Sequence, residues 1–192
     1  MNEIKPSKKP WTTLVPPVIS LTLLCLFVAL TIAGTYALTH ERIATNRDAA
    51  MFAGMERLIV AEQYQMVFHD EANDFAIYVA TSDQGLAKGH LILTSVFGYS
   101  GDVSVLTAIS EGRVIAIEIV DATGETPGLG QNILDPNFVG EFQDLTVLPT
   151  LVRGKPTAHG EIEALTGATI SAQAVVDAVS LAMELYEIHV GD

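Results

Sequence analysis

Asp102-Val-Ser-Val-Leu-Thr-Ala-Ile-Ser110-Glu-Gly-Arg113-Val-Ile-Ala-Ile-Glu-Ile-Val-Asp121 is the stretch that decides what kind of fold this chain makes. Val103, Val105, Thr107 and Ile109 alternate onto one face, and Ile115, Ile117 and Ile119 do the same after the short Ser110-Glu-Gly112-Arg113 link. Period-two alternation on both sides of so short a link predicts an antiparallel hairpin. Upstream, Phe75–Thr81 and Gly89–Phe97 read as two more strands around the turn Ser82-Asp-Gln-Gly85, and the polar Phe68–Asp74 region reads as a loop. Downstream, Pro136–Phe142 reads as a short helix and Leu145–Leu151 as a strand. Val176, Val179, Met183 and Tyr186 then recur at helical spacing, so a last helix is expected from Ser171 or Ala172. Hairpins packed by a few helices give an α+β domain.

Ahead of that domain the composition changes. The chain has 192 residues and 49% hydrophobic content, unevenly spread. No charged residue lies between Pro10 and Thr39, and Leu14–Leu38 is almost wholly apolar. As a helix this run is about 37 Å long, enough to cross a hydrocarbon core of about 30 Å with some tilt. Lys5, Lys8 and Lys9 precede it, whereas His40, Glu41 and Arg42 follow. The positive-inside rule then keeps the N-terminus in the cytoplasm and sends the remainder outward, with Trp11 and Tyr36 at the two interfaces. A cleaved signal peptide is the rival, but Thr35-Tyr36-Ala37 is a poor cleavage site and the run is longer than a usual signal core. The expected division is 1–13 cytoplasmic, 14–38 transmembrane, 39–64 a helical stalk, and 65–192 the exported domain.

Charge and cysteine content exclude several function classes. From Thr39 onward seven Lys and Arg face 22 Asp and Glu, a net of −15, which argues against nucleic acid and against lying on anionic lipid. The only cysteine, Cys25, is inside the apolar run, so the exported part has no disulfide and no thiolate chemistry. His40, His69, His90, His159 and His189 are scattered without a ligand-like spacing, and no Gly-x-Ser-x-Gly elbow exists. Neither a metal site nor a hydrolase is expected.

Three other stretches carry the chemical signal. Phe97-Gly98-Tyr99-Ser100-Gly101 sits between two strands, and Glu125-Thr126-Pro127-Gly128-Leu129-Gly130 follows the second strand of the hairpin. Each reads on its own as a turn. Together they could also bring backbone donors against a flat heteroaromatic ligand, although neither is a dinucleotide fingerprint. The third is Glu163-Ala-Leu-Thr166-Gly167-Ala168-Thr169-Ile-Ser171, at the start of the last helix. On one reading Thr169 or Ser171 simply caps that helix. On the other, unpaired N–H groups and the positive helix end there receive a phosphate, with Gly167 permitting a backbone shape that a Cβ would block.

An N-terminal anchor, Gly98-Tyr99-x-Gly101, Glu125-Thr-Pro-Gly-Leu-Gly130 and Thr166-Gly-Ala-Thr169-x-Ser171, in that order, resemble the family of G subunits of Rnf electron-transport complexes. More distantly they resemble the C subunits of the sodium-pumping NADH:quinone reductase, which share the FMN-binding domain. The resemblance implies FMN on Thr169 through a phosphoester, attached by a flavin transferase that uses FAD. Thr166, Gly167, Ala168 and Ser171 would serve recognition and phosphate contact. Glu125, Thr126, Gly128, Leu129, Gly98 and Tyr99 would lie along the isoalloxazine. It further implies a single-pass inner-membrane protein that carries electrons among other Rnf subunits, membrane subunits included, between ferredoxin and NAD, coupled to sodium or proton movement. Two positions depart from the family: Glu163 stands where Asp is usual, and Thr123 or Gly124 where His is usual. They leave room for a flavin-free anchored module with an assembly or sensory role. An Rnf-like complex that keeps a redox-sensing regulator reduced shares the same subunit pattern.

Overall fold

The computed structural model describes residues 10–70 and 73–191. The lysines of the charge asymmetry, Lys5, Lys8 and Lys9, and two residues of the expected loop, Glu71 and Ala72, lie outside them. The chain divides into two compact units, Met1–Asn46 and Arg47–Asp192.

Helix α1, Pro10–Leu58, begins in the first unit and ends in the second. Among the described residues it is the one helix long and apolar enough to cross a membrane, and its large apolar side chains from Val15 to Ile43 are exposed. Pro16 and Pro17 fall inside the helix, past the four N-terminal N–H groups that lack a partner anyway, so each removes one bond of the helical ladder. Thr22, Thr31, Thr35 and Thr39 each donate a side-chain hydrogen bond to a backbone carbonyl one turn back, which satisfies these four hydroxyls without leaving the helix.

The second unit is built on an antiparallel meander in the order β1-β2-β3-β4-β5. The strands are β1 Gln63–Asp70, β2 Phe75–Thr81, β3 Ala87–Phe97, β4 Asp102–Ser110 and β5 Arg113–Asp121. Two layers cover it. On one face Val103, Val105, Ile109, Ile77 and Ile92 pack against α3, Thr169–His189, through Ala172, Val175, Val176, Val179 and Ala182. Small residues on α3 let the helix approach closely, and Thr94 Oγ1 reaches across to donate to the Ala178 carbonyl at 3.0 Å. On the other face Met55 and Ile59, from the end of α1 and just beyond it, pack on Tyr78, Leu91, Leu106 and Ala108. Covered on both sides, β4 is buried along almost its whole length, and it is the spine of the domain. Arg47 and Arg57 tie the end of α1 to the sheet, through Ser104 and Glu118 respectively.

The predicted hairpin is present with the expected bounds, but its alternation is not regular. Ile115 leaves the face of Ile117 and packs with the opposite layer, while Val114 takes its place against α3. The pairing register slips between Ala108–Ala116 and Ile109–Val114, and the extra residue of this bulge moves Ile115 across the sheet. At the other edge, strand β1 runs on through residues 68–70 of the expected loop, Asn73 and Asp74 form a turn, and α1 stops at Leu58, short of the expected end of the stalk at 64. A bulge at Val67 breaks the alternation there, and an edge strand facing solvent needs no apolar period.

Beyond β5 a short 3-10 helix, Gly130–Leu134, leads into α2, Pro136–Gly140. Asp135 caps α2 by accepting from Asn137 N at 2.8 Å, with Pro136 in the first helical position. The expected strand at 145–151 is divided. Leu145 makes an isolated bridge to Val114, and β6, Thr150–Val152, pairs in parallel with β7, Glu161–Glu163. Pro149, which lacks an N–H, stands at the division.

Candidate functional site

The three stretches meet at one side chain, Glu125. After β5 the chain turns, with Asp121 Oδ1 accepting from both the N–H and the hydroxyl of Thr123 and Glu125 N donating to the Ala122 carbonyl. This turn carries the Glu125 carboxylate inward, where it is only 1% exposed. Its Oε1 accepts from Tyr99 N at 2.6 Å and from Ser100 N at 3.4 Å, in the turn between β3 and β4. Its Oε2 accepts from Ser171 Oγ at 2.7 Å, in the first turn of α3. A buried carboxylate without partners is costly, and here both oxygens are occupied.

Space for that carboxylate depends on two glycines. A Cβ on Gly98 would collide with Oε1, and one on Gly130 would collide with Oε2 and come within 3.1 Å of Ser171 Oγ. Glycine is needed at both positions for close approach, not for flexibility. Gly167 has a different reason: its φ of +79° is a conformation that L side chains rarely adopt.

In front of Glu125 lies a cleft of about 340 Å³ lined by Tyr99, Thr126, Leu129, Gly167, Ala168, Thr169, Ile170 and Ser171, with Glu125 and Gly130 at its back. Thr169 is the first residue of α3 and is exposed. The N-cap, Ala168, makes no side-chain cap, and the first turn-closing bond runs from Ala172 N to Ala168 O. The N–H groups of Thr169, Ile170 and Ser171 therefore have no acceptor within the helix, and the positive end of the helix dipole faces the cleft mouth. Tyr99, Ile170 and Leu129 rim it with apolar surface, 64%, 54% and 45% exposed. The combination suits a ligand with a phosphate at one end and a flat apolar ring at the other. It offers no acid–base pair and no activated nucleophile in the open cleft.

Eight of the eleven expected residues line this cleft: Tyr99, Glu125, Thr126, Leu129, Gly167, Ala168, Thr169 and Ser171. Thr166 instead lines a neighbouring cavity with Asp135, Glu141 and Glu163. Gly98 lies behind the Glu125 carboxylate, and Gly128 supplies a turn at φ +72°. Neither helix-capping role expected for Thr169 or Ser171 is made, because Ser171 donates to Glu125 and Ala168 is the cap. Sequence reasoning misses Ile170. Its only sequence signal is an apolar residue between two hydroxyls at the head of an amphipathic helix, on the side away from the core.

Residues 98–184 match the FMN-binding domain family, a span that opens on Gly98 and contains all three stretches but for Phe97. The G subunit of the ion-translocating oxidoreductase complex of Methanosarcina acetivorans is 27% identical, over 87% of this chain and 91% of that protein. The G subunit of the proton-translocating ferredoxin:NAD(+) oxidoreductase complex of Clostridium ljungdahlii is 29% identical, over 86% and 87% respectively. Its counterpart in the Na(+)-translocating ferredoxin:NAD(+) oxidoreductase complex of Acetobacterium woodii is 32% identical over 58% of this chain and 55% of that protein. The crystal structure of Shewanella oneidensis NqrC superposes with a TM-score of 0.50 at 19% identity, covering 66% of this chain and 65% of that one, which is a likeness of fold.

Proposed function

We propose that this chain, a relative of the G subunits of ion-translocating oxidoreductase complexes and a carrier of their FMN-binding domain, holds FMN covalently on Thr169 and passes electrons within such a complex. One observation carries the reading. Thr169 is an exposed hydroxyl at the uncapped start of α3, inside the cleft on which all three stretches converge. A phosphoester from its oxygen puts the FMN phosphate at the N–H groups of residues 169–171, which donate to the anion, so that the phosphate caps the helix. Tyr99, Leu129 and Ile170 supply the apolar surface for the ring system. FMN itself supplies the redox chemistry, and the protein supplies binding and electrostatics. The chain is then a redox subunit that does not turn over substrate alone.

The same reading takes α1 as a membrane anchor, with a cytoplasmic N-terminus and residues 65–192 outside the cytoplasm. Residues 14–38 span the bilayer and α1 continues out of it to Leu58, its last turns packing on the sheet of the second unit. Partners are the other subunits of the complex, membrane subunits included. Maturation uses a flavin transferase with FAD as donor. The coupling ion is sodium or a proton, and relatives with each name are similar to this chain. The test uses membranes that contain the assembled complex with either the native chain or Thr169→Ala. Electron delivery from the complex's reductant should bleach the flavin absorbance of this protein in the first and find no such flavin in the second. Equal flavin in both would overturn the reading.

A further inference from the structure

The Glu125 carboxylate has a role that a flavin contact does not explain. Among the described residues it is the one charged side chain in the buried set, and its hydrogen bonds run to protein groups: Tyr99 N, Ser100 N and Ser171 Oγ. Two of these donors are on the β3–β4 turn and one on α3, so the side chain spans segments more than seventy residues apart in sequence. Both segments line the cleft, through Tyr99 on one and Thr169 to Ser171 on the other. We propose that Glu125 is the positioning residue of this site: it locks the Tyr99 turn to the head of α3 and keeps Ser171 from competing with Thr169 as the flavin acceptor. The second half rests on the proposed attachment at Thr169.

The chemistry of the donors explains why a carboxylate is used. Tyr99 N and Ser100 N can only donate, so the oxygen facing them must accept. Ser171 Oγ can donate or accept. A glutamine can therefore keep the lock, with its Oε1 toward Tyr99 N and its amide N–H toward Ser171 Oγ. Alanine cannot, and it removes the closest obstacle to a Cβ at position 98, Oε1 itself, leaving Val103 Cγ2 at 3.0 Å and the Gly101 carbonyl at 3.2 Å.

Ser171 is two residues from Thr169 and has the same functional group. Transfer from FAD forms a bond between a hydroxyl oxygen and the FMN phosphorus, breaks the pyrophosphate bond to AMP, and releases the hydroxyl proton. A serine hydrogen-bonded to a carboxylate is chemically primed for such an attack. Ser171, however, is only 1% exposed and points its hydrogen at Glu125, away from the open cleft where Thr169 stands. Occlusion, and not hydroxyl reactivity, selects the acceptor.

The test uses the full chain in detergent, made with and without a flavin transferase, as native protein, Glu125→Gln, Glu125→Ala, Gly98→Ala and the double variant Gly98→Ala/Glu125→Ala. In flavin-free protein, hydrogen–deuterium exchange over residues 98–101 should accelerate roughly tenfold to a hundredfold in Glu125→Ala, the loss expected for a hydrogen bond to a charged group. Glu125→Gln should stay within a few-fold of native, and Gly98→Ala should accelerate exchange more in the native background than in Glu125→Ala, where the closest of its obstacles is gone. Residues 102–110 on the buried strand β4 report global unfolding, so acceleration confined to 98–101 marks loss of the lock. In protein made with the transferase, peptide mapping should find FMN only on Thr169 in native protein, and a visible circular-dichroism band of the flavin that weakens in Glu125→Ala and returns in Glu125→Gln. Unchanged exchange and an unchanged band in Glu125→Ala would overturn the proposal, as would FMN on Ser171 of native protein. Native protein with no FMN would instead refute the attachment reading, and the exchange data would still decide the lock.

Discussion

Replacing Gly130 by alanine tests the geometry behind the site without touching a hydrogen-bonding group. The new methyl would overlap Glu125 Oε2 and lie 3.1 Å from both Glu125 Cβ and Ser171 Oγ. Glu125 cannot swing clear, because its other oxygen is held by Tyr99 N and the side chain is buried. The variant must then lose the Ser171–Glu125 bond, about 1.5–3 kcal/mol for a hydrogen bond to a charged group. Local overpacking adds about 1–3 kcal/mol. Together these come to about 2.5–6 kcal/mol; at about 4 kcal/mol, and about 2–4 °C per kcal/mol for a unit of this size, Tm should fall by about 8–16 °C. Far-UV circular dichroism of the detergent-solubilised full chain reads this directly. Gly140→Ala is the control, since a methyl there meets nothing within 4 Å. If Gly130→Ala melts with the control, Glu125 is not confined as described and the close-approach argument for both glycines is wrong.

Other parts of the fold give sharper or cheaper checks. Burial holds the His90 imidazole below its ordinary value, so the unfolded chain takes up a proton first as pH falls through about 6.5. Stability should accordingly drop on acidification from pH 7 until the folded-state value is passed, and His90→Gln should flatten that slope in urea melts across about pH 7.5–5. Thr94→Val keeps the shape of a buried side chain but removes its bond to the Ala178 carbonyl; a loss of about 1 kcal/mol, seen as a lower urea midpoint at unchanged slope, is expected. For orientation, a cysteine introduced at the exposed Lys155 in a Cys25→Ala background should react with a membrane-impermeant maleimide in intact cells; labelling only after lysis would reverse the proposed topology.

What is legible in the sequence follows from how each element is stabilised. Strands β2 to β5 announce themselves because they are buried and apolar residues recur along them. Strand β1 does not, since it is an edge with a bulge at Val67 and exposed Met66, Val67 and Phe68. Alternation alone puts Ile115 on the wrong face, because a bulge is a register event between two strands, invisible in either strand alone. At the site, Thr169, Gly167 and the Glu125 loop are legible as motifs, and the cleft brings them together. The role of Glu125 is not. Its partners Tyr99 and Ser171 are fixed only by the packing of α3 across the sheet, so a glutamate that reads as a flavin contact is also the tie between their two segments. Gly98 similarly reads as ligand-facing, and it stands behind the carboxylate instead.

The measurement closest to the central claim is the intact mass of the full chain after co-expression with a flavin transferase, followed by peptide mapping. An FMN-sized increase on the peptide carrying Thr169, absent in Thr169→Ala although Thr166 and Ser171 remain, is the predicted result. Unmodified native chain, under conditions that load FMN onto the corresponding protein of a related complex, would contradict the account and leave an anchored, flavin-free domain in its place.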